Sequence, residues 1–180
     1  MLDREYGGFY GYLSQSLELR KKADKGGILN SRILWFFSNL YLFDGKSEYL
    51  QFAKASFEFL KRYFLDKEYG GIYWSVSYDG NPVDETKHTY CQSFAIYGLS
   101  SYYAASQDKD ALNIAYSLFD IIENKCRDKG GYLEAFNKRF ELSSNEKLSE
   151  NGVMAARTMN TLLHVMEAYT ELYRVDKVDV

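Results

Sequence analysis

The segment Glu5-Tyr-Gly-Gly-Phe-Tyr-Gly-Tyr-Leu-Ser14 returns as Glu68-Tyr-Gly-Gly-Ile-Tyr-Trp-Ser-Val-Ser77 and again as Asp128-Lys-Gly-Gly-Tyr-Leu-Glu-Ala-Phe-Asn137. The Gly-Gly pairs begin at positions 7, 70 and 130, so the spacing is 63 and then 60 residues. A period this long signifies one supersecondary unit used several times, each copy burying its apolar face only against its neighbours.

Helical patterns fill the intervals. Residues 28–43 are apolar nearly all round, as in a helix buried on several sides. Asp44-Gly45 breaks the pattern, with Gly45 suited to the left-handed residue that closes a helix. Residues 46–64 are amphipathic, with Leu50, Ala53, Phe57, Leu60 and Phe64 on the apolar stripe. The same order recurs as an apolar, tyrosine-rich helix over 88–105 and an amphipathic one over 109–125, and a third apolar helix is expected at 156–174. The aromatic runs after each Gly-Gly pair, and Tyr78-Asp-Gly-Asn-Pro82, read as β-hairpin-like loops. The expected class is therefore all-α: a partial (α/α)6 toroid of helix pairs, with short β-hairpin loops at one end. The chain is read as one partial α/α-barrel domain spanning 1–180, with units at about 5–65, 66–127 and 128–175.

Composition removes several functions. A net charge of −3 without a basic cluster argues against nucleic acid as a partner. No stretch approaches the ~20 apolar residues of a membrane span, and the charges of Asp3, Arg4 and Glu5 do not suit a signal peptide. Cys91 and Cys126 form neither a disulfide framework nor a metal-ligand spacing, which favours a reduced, cytoplasmic setting. Phosphate loops, nucleophile elbows and His-Glu-x-x-His motifs do not occur. The 17 Tyr, 12 Phe and 2 Trp suit a cleft that is both apolar and hydrogen-bonding, as sugar clefts are; core packing is the plainer use of most of them.

Polar residues on inner helices are the informative ones. Asn160, His164 and Glu167 stand at i, i+4 and i+7 on an otherwise apolar helix, and Glu167 lies one turn from His164, positioned to orient its ring or raise its basicity. The alternative is a buried polar tie between helices. Arg32, among Ile33, Leu34, Trp35 and Phe36, needs either a ligand oxygen or a structural carboxylate. Tyr90 is expected at roughly the level of Arg32 and Asn160 in their own units. His88 either points inward or caps a helix start. Trp35 and Trp74 offer faces for a pyranose, with core packing the stronger expectation for Trp35. Glu134 is a candidate acid or base carboxylate.

Four segments carry a family resemblance: residues 5–11, Lys-Gly-Gly-Ile-Leu-Asn-Ser-Arg-Ile-Leu-Trp-Phe-Phe-Ser at 25–38, Lys-His-Thr-Tyr-Cys-Gln-Ser-Phe-Ala-Ile-Tyr-Gly-Leu-Ser at 87–100, and Met-Asn-Thr-Leu-Leu-His-Val-Met-Glu-Ala-Tyr-Thr at 159–170. In this order they resemble the cellobiose 2-epimerases of the N-acylglucosamine 2-epimerase superfamily. The resemblance implies an (α/α)6 barrel that epimerises the reducing-end glucose of β-1,4 disaccharides to mannose through a cis-enediol, without a metal or organic cofactor. It implies that Arg32, Tyr90, Asn160 and His164 line the sugar site, with Arg32 favouring the enediolate oxygen. The family's two acid/base histidines belong to later units than this chain spans. Gly152, in Leu148-Ser-Glu-Asn-Gly152, stands where relatives tend to carry an aspartate, and Leu162 replaces a common histidine. The expected partners are a disaccharide or monosaccharide, and either a second copy or a C-terminal half covering the open ends of the arc. A non-catalytic carbohydrate-binding or assembly module, and an N-acylglucosamine or mannose-type relative, are the alternative functions.

Overall fold

Three helices with little polar surface lie side by side as an inner layer: α1 (Gly27–Asp44), α3 (Thr89–Ser106) and α5 (Met159–Val175). The computed structural model describes residues 1–144 and 155–177. Helix α3 is central, packing on α1 along one flank and on α5 along the other. The amphipathic helices α2 (Ser47–Phe59) and α4 (Lys109–Ile121) form an outer layer, α2 on α1 and α4 on α3. This order is the expected arc of helix pairs.

Local chemistry sets the boundaries. Gly45 closes α1 in the left-handed region, φ 73°, and its N–H donates to the Tyr41 carbonyl. The Asp108 side chain caps α4 by accepting from Asp110 N–H, and Thr158 caps α5 by accepting from Thr161 N–H. The sequence pattern carries α2 and α4 on as regular helices. Instead each finishes in one wider π turn, Leu60–Phe64 and Ile122–Cys126, whose first and last side chains are all buried. The core runs through the layers on Leu34, Phe57, Phe64, Ile96, Leu99, Leu118 and Leu172. At Gly98 a Cβ would stand 2.6 Å from the Ser31 carbonyl oxygen, so the absent side chain permits the close approach of α1 and α3.

Short strands at one end join the entry to each of α1 and α3 to a later hairpin segment. β1 (Lys25–Gly26), which leads into α1, pairs with β2 (Ser75–Val76) of the following hairpin, and β2 pairs with β3 (Pro82–Asp84). β4 (Lys87–His88), which leads into α3, pairs with β7 (Ala135–Phe136) in the same way, while β5 (Arg127–Asp128) and β6 (Gly131–Tyr132) form a separate hairpin. The first N–H groups of α1 and α3 donate to the carbonyls of Trp74 and Glu134, so orphan helix donors are met by the neighbouring hairpin.

Beneath these strands lies a recurring buried ion pair. Asp66 Oδ1 accepts from the N–H groups of Glu68 and Tyr69, and Oδ2 accepts from Lys87 Nζ at 3.0 Å. Lys87 Nζ also donates to the Gly70 carbonyl and lies 4.3 Å from the centre of the Tyr73 ring. Asp3, Lys25 and Gly7 repeat the arrangement, with a 2.8 Å ion pair and donation from the N–H groups of Glu5 and Tyr6. Burial by itself would raise the Asp66 carboxyl, but the bonds from Lys87 and the two N–H groups outweigh it and hold the group below its ordinary range. Asp128 and Arg157 form the third pair, on a more exposed surface.

The arc has two uncovered flanks. Counted from the first helical residue, Gln92 and Ile96 of α3 are equivalent to Leu162 and Met166 of α5. The α3 pair is fully buried, whereas Leu162 and Met166 are 49 % and 58 % exposed. Met159, Leu163 and Tyr173 are exposed on α5 as well, and Leu29, Phe36 and Phe43 on α1.

Lys87→Met leaves the Asp66 carboxylate buried without its cation, and is expected to lower unfolding stability by about 3–5 kcal/mol. Urea denaturation measures this; a loss below about 1 kcal/mol would mean that the pair does not hold the hairpin to α3.

Candidate functional site

Because each inner helix begins two residues after the basic member of its ion pair, the three share a register. The second positions are Ile28, Tyr90 and Asn160; the sixth are Arg32, Phe94 and His164; the ninth are Trp35, Tyr97 and Glu167. These are the i, i+4, i+7 positions of one helical face. Tyr90 therefore matches Asn160 but stands a turn before Arg32, a correction to the level expected from the sequence. The helical positions equivalent to Arg32 are Phe94 and His164.

Of the four residues singled out by pattern and resemblance, Arg32, Tyr90 and His164 surround Phe94, and Asn160 lies beside Tyr90. The Arg32 guanidinium lies over the Phe94 ring, 5.8 Å from its centre. Tyr90 packs edge-on to Phe94 at 5.0 Å and to the His164 imidazole at 4.8 Å. Phe94 and His164 are 4.6 Å apart, and His164 Nδ1 is 2.8 Å from Glu167 Oε2. Burial raises the Tyr90 phenol above its ordinary value, against the pull of the Arg32 charge and the nearby Asn160 amide. Asn160 and Arg32 are exposed. Phe94 escaped the sequence reading because an aromatic residue on an apolar helix resembles core; its sixth-position register with Arg32 and His164 was the available signal.

One turn further along, Trp35 is half-buried and stacks on Tyr97 at 5.5 Å with planes 17° apart, bridging α1 and α3. Trp74 packs against His88 at 4.5 Å, under the hairpin end. His88 is the residue before α3 but its side chain makes no capping bond; it is buried, and among the described residues its Nδ1 has no hydrogen-bond partner. Desolvation pushes its pKa down to about 4, so it is neutral at ordinary pH. Glu134 is also buried. Its Oε1 accepts from Thr158 N–H and its Oε2 from Thr161 Oγ1, so both oxygens are engaged at the start of α5. Leu162 faces the uncovered flank, and Gly152 lies outside the described residues. Among the described residues no cluster of three His, Cys, Asp or Glu side chains has the arrangement to hold a metal ion.

The cluster combines one permanent cation, a carboxylate-linked imidazole, a phenol and an amide on an aromatic floor. Such a set can exchange hydrogen bonds with several hydroxyl groups while Arg32 opposes a developing negative charge.

The N-acylglucosamine 2-epimerase (GlcNAc 2-epimerase) family profile matches residues 8–176. The chain is 58 % identical over 174 residues to a cellobiose 2-epimerase of Ruminococcus albus, covering 97 % of this chain and 45 % of the relative. Its fold superposes on the crystal structure of a sugar epimerase from a ruminal bacterium with a TM-score of 0.97 and 56 % identity, over 98 % of this chain and 46 % of that one. The cellobiose 2-epimerase of Bacillus thermoamylovorans B4167 gives a TM-score of 0.95 at 47 % identity, over 99 % of this chain and 46 % of that one. The arc is thus part of an (α/α)6 toroid, and the chain spans a little under half the length of these relatives. No helix among the described residues is long and apolar enough to cross a membrane.

His88 supplies a pH test of the fold. Its imidazole titrates near 6.5 when unfolded and near 4 when folded, so between these values the unfolded chain binds the additional proton. Stability is therefore expected to fall as pH drops from about 6.5 to about 4, by up to about 1.4 kcal/mol per pH unit. In urea denaturation across that window, His88→Phe should flatten the slope; an unaltered slope would show that His88 is not held neutral.

Proposed function

The chain belongs to the N-acylglucosamine 2-epimerase family, and from that premise we propose that it builds the N-terminal part of the sugar site of a cellobiose-type 2-epimerase. The observation that carries this reading is the convergence of Arg32, Tyr90 and His164 from three inner helices around Phe94, with Asn160 beside Tyr90. In the proposed reaction the reducing-end glucose opens, a base removes the C2 proton, and the electron pair moves onto the C1 oxygen as a cis-enediolate. Reprotonation of C2 on the opposite face yields mannose. Arg32 stabilises the enediolate oxygen by charge, and Tyr90, Asn160 and His164 bind hydroxyl groups. The general acid and base that carry the C2 proton belong to the part of the ring beyond these residues. His88, buried and neutral, does not fit either role.

The three units, at about 5–65, 66–127 and 128–175, are read as one partial domain. The exposed flanks of α1 and α5 are the surfaces on which the remaining helix pairs of the toroid, or a second copy of this chain, would pack. Two buried free cysteines suit a cytoplasmic setting. A non-catalytic sugar-binding module is the second reading for the 180 residues alone, favoured by their span of under half of each relative.

Incubation with cellobiose, followed by NMR of the reducing-end sugar, tests the assignment. These residues alone should bind cellobiose without forming product, and adding the C-terminal part of a relative should restore epimerisation. No gain on mixing would favour the binding module, and no binding at all would reject the sugar site. Asn160→Ala should weaken cellobiose binding by up to about tenfold, the scale of one hydrogen bond to a sugar hydroxyl; calorimetric titration checks this. The chain alone should self-associate through its apolar flanks, as sedimentation velocity would detect. A monodisperse monomer that stays soluble would count against the flanks as packing surfaces.

A further inference from the structure

His164 is constrained on three sides by groups from two helices. Phe94 and Tyr90 of α3 flank its ring at 4.6 and 4.8 Å, and Glu167, three residues on in α5, meets Nδ1 at 2.8 Å. The imidazole is largely covered, its side chain 19 % exposed, while Glu167 reaches further into solvent at 44 %. Arg32, from α1, lies over the Phe94 ring.

An ionised carboxylate can only accept, so a hydrogen bond at that distance requires the hydrogen on Nδ1. A neutral imidazole then leaves Nε2 without one. We infer that Glu167 is a positioning residue that fixes His164 as the Nδ1–H tautomer and leaves Nε2 as a hydrogen-bond acceptor for a ligand hydroxyl. The acceptor role rests on the proposed sugar site; the tautomer does not. Histidine free in water favours the opposite form, with hydrogen on Nε2, so Glu167 reverses the intrinsic preference. The two tautomers select different ligand atoms. An Nε2–H would donate to a ring oxygen or carbonyl, whereas a bare Nε2 receives a hydroxyl hydrogen. The neighbouring Phe94 ring offers the imidazole no competing acceptor, and the Tyr90 hydroxyl can lie to either side of a donor–acceptor exchange.

Histidine-selective 15N labelling reads the tautomer directly, because only His88 and His164 contribute signals and His164→Gln identifies its own by their loss. At about pH 8, above the usual histidine titration, wild type should show a protonated Nδ1 and an unprotonated Nε2 at residue 164. Glu167→Leu should shift these signals towards the Nε2–H form. Glu167→Gln should restore them, since its amide oxygen also accepts. A wild-type Nε2–H signal, or a Glu167→Leu spectrum identical to wild type, overturns the inference. Cellobiose titration supplies the second readout. If the competent tautomer falls to about a fifth of the population, Glu167→Leu binds about fivefold more weakly, and Glu167→Gln returns to wild type. Equal affinity in wild type and Glu167→Leu, with the tautomer changed, overturns the acceptor role. No cellobiose binding by any form, with the tautomer as expected, removes the sugar reading together with that role and leaves the Glu167–His164 positioning standing.

Discussion

A buried carboxylate cannot stay charged without donors, and Asp66 has three: two turn N–H groups and the Lys87 ammonium. Those donors come from the Gly-Gly turn on one side and from the entry to α3 on the other, so satisfying one charge joins two segments some twenty residues apart. Asp3 and Lys25 do the same at the entry to α1. Such pairs are poor sources of net stability, since desolvation offsets most of the attraction. Their value here is positional. The cation also binds the carbonyl of Gly7 or Gly70, each in the left-handed region, so the turn geometry and the ion pair require each other.

Register follows from this clasp. With the basic residue held two positions before each inner helix, the second, sixth and ninth residues of α1, α3 and α5 fall on one face. The pairing of β1 with β2, and of β4 with β7, then sets the helices side by side, and Gly98 lets α3 approach α1 closely. Arg32, Phe94 and His164 meet for that reason, although they are dispersed over more than a hundred residues of chain. An aromatic ring at the centre has a definite consequence: it gives the guanidinium a face to rest on.

The same helical register meets two environments. In α3, flanked on both sides and covered by α4, the fourth and eighth positions are buried; in α5 they are apolar and exposed. A side chain such as Met166 has core chemistry in a surface location, and only further packed helices would reconcile the two. The lumen wall shares this openness, since Asn160 and Glu167 face solvent along it.

The layered helix pairs, their order and the hairpin ends were legible in the sequence, because a period-3.6 apolar pattern and a glycine pair in a turn are local properties. Asn160, His164 and Glu167 were legible as a stripe for the same reason. The π turns that end α2 and α4 were not, as one widened turn leaves the apolar spacing almost unchanged. Glu134 read from its own segment as a candidate acid or base carboxylate; only the start of α5 placed beside it shows both of its oxygens engaged there. His88 likewise needed the Trp74 ring and the strand pairing to become a buried neutral imidazole. By itself the sequence determined which segments are helical and where their apolar and polar stripes run, since those depend on near neighbours along the chain. Only the tertiary structure decided that Phe94 is the hub and that Arg32, Phe94 and His164 share a level, because that depends on ion pairs and strand contacts between residues far apart in sequence.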